Sequence, residues 1–451
     1  MSLAKKIKKI SNSKRILFTT PSHDRTAGVC GEISNYLGKN FFKHDLSEIN
    51  DLDNLANPTG DILLSMKKSA KLLGVKELLY LINGSSSGII ASMLAVLKPN
   101  DKVLIARNCH KSVIHGLILT GANPIWCLPE INQKWSIFKG ISPAKIASIL
   151  NKNPDIKAVI ITSPTYEGVT SDIKAIAEIC HSQNVKLIVD EAHGALKSFA
   201  PKFFGQNAVN LGADIAVQSL HKTCGAPNPC AILLSAGTIN NEFFQNSLNL
   251  INTTSPSYPI LAAIETTISF LTSTKGIKKV EKLIDDISEF KKAFSEDKNI
   301  EFCDFNDSTK LLIKVKNLSG FELSDILFDK FEIEDELTNN SASLLLTGIG
   351  TTKHKLKKLE KALKTIISQK YSSNLESNSC PLVLPNFEMS PREAFFAQKV
   401  KIPIEESLEK ICGETISEYP PGIPFLIEGE KISQQHIDYL KQNRKLIKIV
   451  R

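Results

Sequence analysis

The sequence predicts an α/β fold, with a large domain built on a mainly parallel sheet and a smaller α+β domain at the C-terminus. Three observations carry this. From Glu77 onward continuous apolar segments alternate with helical ones, among them E-L-L-Y-L-I-N-G, I-I-A-S-M-L-A-V-L and D-K-V-L-I-A-R-N. Strands buried on both faces and joined by crossover helices read this way. Two later strands end in reactive residues, V-K-L-I-V-D-E-A-H-G-A at Asp190 and D-I-A-V-Q-S-L-H-K-T at Lys222. After about residue 270 the texture changes to lysine- and acid-rich helices separating shorter strand candidates.

Taken in order, residues 1–60 read as an arm with little repetitive structure, rich in turn formers and acids, which packs across another subunit or over a cleft. A helical pattern from Asp61 (Ile62, Leu63, Met66, Ala70, Leu73) ends at Gly74, a C-cap. It opens a large domain assigned to 61–300. The first strand breaks into Gly84-Ser85-Ser86-Ser87-Gly88 before an apolar helix stopped by Pro99. The strand A-V-I-I-T-S-P-T-Y-E-G and the capped helix S-D-I-K-A-I-A-E-I-C-H follow, then the two strands ending in reactive residues and C-A-I-L-L-S-A. A linker helix over residues 275–297 leads to the C-terminal domain, 301–451. That domain includes the strands K-L-L-I-K-V and S-L-L-L-T-G and an amphipathic helix with Leu356, Leu359, Leu363 and Ile366 on one face.

The bulk properties exclude several classes. The net charge of +8 comes from scattered basic residues, not an aromatic-laced stripe, so no nucleic-acid partner is expected. Nine dispersed cysteines without a C-x-x-C pair argue for reduced thiols and against a disulfide framework or metal site. The basic N-terminus lacks an apolar export core, and no apolar run reaches the roughly 18–20 residues of a membrane span. A cytoplasmic protein is expected.

Several residues are candidates for chemistry. An Asp and a Lys at the ends of neighbouring parallel strands meet at the carboxyl edge of a sheet, where such folds place ligands. Asp190 would hold a pyridinium nitrogen and Lys222 an aldehyde, the pairing a pyridoxal phosphate site requires. A metal or a helix N-terminus is the other reading of Asp190, and a surface loop lysine that of Lys222. The Gly84–Gly88 run suits a phosphate at a helix N-terminus, though Gly/Ser turns after strands are common. His110 either stacks on a flat ring or simply starts a helix. His193 lies within reach of whatever Asp190 binds, and Glu191 reads as structural.

The motifs N-G-S-S-S-G, R-N-C-H-K-S, T-S-P-T-Y-E-G-V-T-S-D-I, V-D-E-A-H-G-A, Q-S-L-H-K-T, T-T-S-P-S-Y-P, P-R-E-A-F-F-A and Y-P-P-G-I-P occur in that order from Pro21 to about Glu430. Together they resemble the bacterial ornithine/lysine/arginine decarboxylases, in a short form without an N-terminal wing domain. The resemblance implies an aspartate-aminotransferase-like scaffold of fold type I, pyridoxal 5'-phosphate as cofactor, and a homodimer or higher homo-oligomer. It assigns Lys222 as the lysine bonded to the cofactor, Asp190 as the pyridinium partner and His110 as the ring-stacking residue. Ser85, Ser86, Ser219 and His221 match phosphate binders. His193 lies beside the ring, Thr165 on the side of its phenolic oxygen, and Thr253 or Thr254 reaches the neighbouring subunit's phosphate. The sequence departs from the family at T-P-S-H-D-R-T-A-G, which lacks the usual lysine, and at C-G-A-P-N-P-C after Lys222.

The reaction this implies is removal of CO2 from arginine, lysine or ornithine to give the corresponding amine, with His193 or Lys222 protonating the α-carbon. The substrate's distal cation calls for a carboxylate, and Glu393, Glu405 and Glu418 are the candidates. The competing readings are another reaction on the same scaffold, transamination or β-elimination, and a non-catalytic regulatory protein. An aminotransferase needs an arginine clamp for the α-carboxylate, for which Arg392 is the C-terminal candidate.

Overall fold

The computed structural model describes residues 2–304, 307–371, 383–417 and 422–451. Its centre is a seven-stranded sheet: β1 (Glu77–Leu81), β2 (Lys102–Ala106), β3 (Asn123–Cys127), β4 (Ile156–Thr162), β5 (Lys186–Asp190), β6 (Ile215–Ser219) and β7 (Ala231–Ser235), in the order β1-β7-β6-β5-β4-β2-β3. β7 runs antiparallel to both its neighbours, β1 and β6. The remaining adjacent pairs are parallel. The carboxyl ends of β1, β2, β4, β5 and β6 therefore open on one edge.

The strands are buried almost throughout, with Val103–Ala106, Leu187–Asp190 and Ala231–Ser235 inaccessible from either face. This explains their lack of polar alternation. Helix α3 (Gly84–Val96) lies against the sheet through Gly88, where a Cβ would approach Leu81 and Val217 side-chain carbons to 2.5 and 2.7 Å. Any larger residue would push the helix away, and with it the turn at Gly84–Ser86.

The arm is more regular than expected. Helix α1 (Leu3–Ser11) is capped by Ser2, buries Leu3, Ile7 and Ile10, and gives its first amides, Leu3 and Ala4, to the Glu265 carboxylate. Glu265 belongs to α6 (Tyr258–Leu271) and also accepts from Ser65 on α2 (Asp61–Leu73). Four intervening lysines hide this three-residue apolar stripe in the sequence. Further along the arm Phe18 (97 % exposed) and Tyr36 (87 %) lie open.

The stretch expected as one domain, 301–451, carries two separate cores. The first surrounds a four-stranded antiparallel sheet, β8 (Ile300–Phe302), β9 (Lys310–Val315), β10 (Leu337–Thr338) and β11 (Ser343–Leu346), in the order β8-β9-β11-β10. Helices α7 (Thr274–Lys292) and α8 (Lys353–Ile367) cover it, burying the predicted Leu356, Leu359, Leu363 and Ile366. The second surrounds Phe425, Ile432 and Ile449 beside the antiparallel pair β12 (Lys399–Pro403) and β13 (Leu446–Val450). It is fastened to the large domain by Arg107. That guanidinium is fully buried after β2 and donates to the carbonyls of Val383, Pro424 and Phe425.

Candidate active site

The carboxyl edge of the large sheet encloses a cavity of about 260 Å3. Five strand ends supply its walls: Gly84–Ser86 after β1, Asn108 and His110 after β2, Thr162 and Thr165 at or just after the end of β4, Asp190 and His193 at or just after the end of β5, and His221 and Lys222 after β6. The sequence thus predicted most of this set, and the sheet topology brings it together.

Lys222 sits in α5 (Leu220–Thr223), a single turn directly after β6. Its Nζ is 2.7 Å from His193 Nε2 and 5.7 Å from the centre of the Tyr166 ring. The Tyr166 and His193 rings pack with centroids 4.1 Å apart. Burial lowers the Lys222 amine below its ordinary value, against the opposing pull of Asp190 and Glu336, and the Lys310 cation lowers it further. Burial, followed by the Lys222 and Lys310 charges, holds His193 well below the usual imidazole range. His193 is therefore neutral, and among the described residues its Nδ1 is buried without a hydrogen-bond partner.

Asp190 is 4 % exposed. The hydrogen bond its carboxylate accepts comes from the Ala192 amide, at 3.1 Å. Burial raises its pKa, with Lys222 and that amide opposing. A buried carboxylate so thinly supported favours a protonated or cationic partner. Glu191, by contrast, is spent on structure, accepting from the Ala208 amide and the Gln218 side chain.

At the opposite wall α3 begins without a side-chain cap, leaving its first amides to the cavity. Ser219 donates to Ser85 Oγ at 2.9 Å, so the two hydroxyls form one polar cluster there. Uncapped amides, the helix dipole and hydroxyls make an anion cradle. His221 Nδ1 is anchored to the Cys230 carbonyl at 3.0 Å. His110 both caps α4 (Lys111–Thr120), accepting from the Ser112 amide through Nδ1, and lines the cavity. Burial, Lys222 and Lys111 push it down to about 4. Thr165 donates to Glu167 at 2.8 Å. Thr253 and Thr254 are exposed and do not line this chain's own cavity.

The C-terminal acids fall elsewhere. Glu393 is the third residue of α9 (Pro391–Phe396), and its carboxylate accepts from the Ser390 amide and hydroxyl at 2.8 and 2.7 Å in a capping box. That bond set holds it at a helix start, not at the cavity. Glu405 is exposed in a short turn, and Glu418 lies outside the described residues. Arg392 donates to the carbonyls of Ile118 and Leu119. Sequence reasoning passed over Tyr166, Asn108, Glu336 and Lys310. Tyr166 was visible in T-S-P-T-Y-E-G but had no signal of its own, and Glu336 and Lys310 arrive from the second domain. Among the described residues no cluster of three or more His, Cys, Asp or Glu side chains could hold a metal. No described helix is long and apolar enough to cross a membrane.

A lysine, an under-supported aspartate and an anion cradle on one parallel-sheet edge define a fold-type-I scaffold of the kind that works with pyridoxal phosphate. The comparisons identify it further. Residues 2–346 match the family model described as Orn/Lys/Arg decarboxylase, major domain, and residues 374–449 match that of its C-terminal domain. An arginine decarboxylase of Bacillus subtilis (strain 168) is 32 % identical over 97 % of this chain and 92 % of its own length. One from Halalkalibacterium halodurans is 31 % identical over 95 % and 90 %. In fold the chain is similar to the Francisella novicida lysine decarboxylase (TM-score 0.85, 21 % identity, all of this chain and 81 % of that one). It is likewise similar to the constitutive lysine decarboxylase of E. coli (TM-score 0.84, 19 % identity, all of this chain and 82 % of that one). This chain belongs to the Orn/Lys/Arg decarboxylase family, whose members are pyridoxal phosphate-dependent carboxy-lyases acting on basic amino acids.

Proposed function

We propose that this protein decarboxylates arginine to agmatine and CO2, with pyridoxal 5'-phosphate held in the cavity by Lys222. The observation that carries the reaction is the meeting of Asp190, Lys222 and His193 beside an uncapped helix start. Arginine as substrate is supported by the near full-length similarity to arginine decarboxylases. The lysine decarboxylase of Pseudomonas aeruginosa is 25 % identical over 61 % of the chain.

The residues fit the cofactor. Asp190, which lacks a strong partner, would hold a proton on the ring nitrogen. The α3 amides with Ser85, Ser86, Ser219 and His221 would hold the phosphate, His110 would face the ring, and Thr165 would stand near its phenolic oxygen. Bound pyridoxal phosphate supplies an electron sink for the charge left when CO2 departs. Lys222, its amine lowered by burial, would hold the cofactor through its aldehyde as the site's nucleophile. His193, neutral and 2.7 Å from Lys222, gives that amine an acceptor and makes the pair able to move a proton to the α-carbon. Glu336, which accepts from the Tyr166 hydroxyl at the second-domain wall, adds negative charge near the site of a basic substrate.

Thr253 and Thr254, exposed in this chain, are available to a second copy's phosphate, which supports a homodimer. The eight described cysteines are all unpaired and seven are buried, which supports a reducing, cytoplasmic setting. Transamination is the weaker alternative, since two backbone carbonyls already engage Arg392. The test is product analysis with cofactor and each of arginine, lysine and ornithine. Agmatine formed fastest, and only with Lys222 intact, is the expected result. Cadaverine or putrescine in its place would reassign the substrate, and no CO2 from any of the three would end the decarboxylase reading.

A further inference from the structure

Lys310 enters the site described so far only as a charge that lowers Lys222 and His193, yet it is among the most completely buried side chains of the molecule, at 0 % exposure. A buried ammonium is costly unless each of its three N–H donors is matched. Here all three are. Asp307 Oδ2 accepts at 3.0 Å and Thr309 Oγ1 at 3.1 Å, both from the same chain segment entering β9. The third acceptor belongs to the other domain: the backbone carbonyl of His193, at 3.3 Å. The ion pair with Asp307 stays within one segment, so the bond to the His193 carbonyl is the polar contact through which Lys310 reaches the large domain.

The carbonyl it holds is well chosen. His193 follows Asp190 in a tight turn closed by the Asp190 carboxylate on the Ala192 amide and by the Gly194 amide on the Glu191 carbonyl. One turn thus carries both the acid for the cofactor and the imidazole 2.7 Å from Lys222. The loop bearing Thr165 and Glu167 also rests on Lys310. Gly168 has φ +97°, and a Cβ there would come within 2.8 Å of Lys310 Cγ. Lys310 therefore meets two cavity walls at once, the Gly168 loop with its stem and the His193 turn with its ammonium.

We propose that Lys310 is a positioning residue for the reaction, fixing the His193 carbonyl from the second domain and so setting the imidazole against Lys222. This rests on the proposed decarboxylation only for its kinetic readout. Lys310→Met alone would leave Asp307 buried and unpaired, a destabilising state, so the decisive protein is the double variant Lys310→Met/Asp307→Asn, which removes both charges. Positioning predicts that the cofactor-free double variant recovers the Tm lost in the single one. Its kcat for CO2 release should nevertheless stay down on the order of 10²-fold with KM little changed, the cost of a displaced catalytic group. Well above a pH of about 6.5, where His193 is neutral with or without the Lys310 charge, the imidazole nitrogen resonances of His193 in 15N-histidine-labelled, cofactor-free protein, assigned with His193→Asn, should also move. If kcat and those resonances return to wild type together with Tm, the role is purely structural and the proposal fails. If the wild type itself releases no CO2, the decarboxylase reading fails, and the resonances alone decide the role of Lys310.

Discussion

Two buried aspartates at opposite edges of one sheet are supported very differently. Asp214, 1 % exposed at the amino-terminal edge just before β6, accepts from Thr238 Oγ1 (2.5 Å), the Leu187 amide (2.9 Å), His181 Nε2 (2.9 Å) and Lys186 Nζ (3.1 Å). Burial pushes its pKa up, but these bonds outweigh it and the net shift is downward. Asp190, at the carboxyl edge, has the Ala192 amide, and its net shift is upward. Both carboxylates lie at ends of apolar strands. One edge saturates its acid and gains rigidity. The other leaves its acid wanting a partner, as a binding site must.

The sharpest break of this contrast is in activity. Lys222→Ala should abolish CO2 release, by about 10⁴-fold or more, as measured by trapped CO2. Asp190→Asn should cost roughly 10²–10³-fold in the same assay, through loss of the charge that keeps the ring nitrogen protonated. A conservative change at the saturated edge, Asp214→Asn, should leave kcat within a few-fold in whatever protein stays folded. Equal losses at Asp190 and Asp214 would mean that the two edges do not divide the work this way.

Stability should reverse the ranking. In cofactor-free protein Asp214→Asn should lower unfolding free energy by about 3 kcal/mol, since it breaks charge-assisted bonds of a buried acid. Asp190→Asn should be neutral or stabilising by up to about 1 kcal/mol, because it removes an ill-supported buried charge. Denaturant melts of the two variants decide this. The signs also separate with pH. The contribution of Asp214, whose folded pKa is depressed, is fully present above the ordinary carboxylate value of about 4 and is lost as pH falls through the folded value. Asp190, whose folded pKa is raised, destabilises the fold above that raised value and ceases to do so as pH falls through it. The advantage of Asp190→Asn should therefore fade on acidification at a higher pH than the penalty of Asp214→Asn. Coincident midpoints would contradict the opposite shifts.

How much of this was readable beforehand follows from range. Asp190, Lys222, His193 and the Gly84–Ser86 turn each sit at the end of a buried strand, so local pattern alone marks them, and the parallel topology then joins them. The helix at Leu3–Ser11 is hidden in the sequence because four lysines mask its three apolar contacts. The two cores beyond residue 300 read as one domain because neither has a strand pattern as continuous as that of the large sheet. Tyr166, Glu336 and Lys310 had no legible role for a different reason. Their meaning comes from packing the second domain against the first, with Tyr166 bonded to Glu336 and Lys310 bonded to His193, contacts separated by more than 100 residues. No local signal encodes these pairings.

The smallest expected effect concerns Glu393, which as an acid in a decarboxylase-like motif suggested a place for the substrate cation. Its capping box assigns the carboxylate to the Ser390 amide and hydroxyl, and those bonds lower its pKa. Losing the cap through Ser390→Ala should cost about 1 kcal/mol, and Glu393→Ala somewhat less, because that side chain is exposed. Neither should change KM for arginine by more than about twofold, since a helix cap outside the cavity gives no differential binding of substrate. A large rise in KM with Glu393→Ala and not with Ser390→Ala would mean that this carboxylate reaches substrate in an assembly of two chains. The acid that recognises the substrate would then come from the partner, and the comparison of the two sheet edges would extend across the subunit boundary.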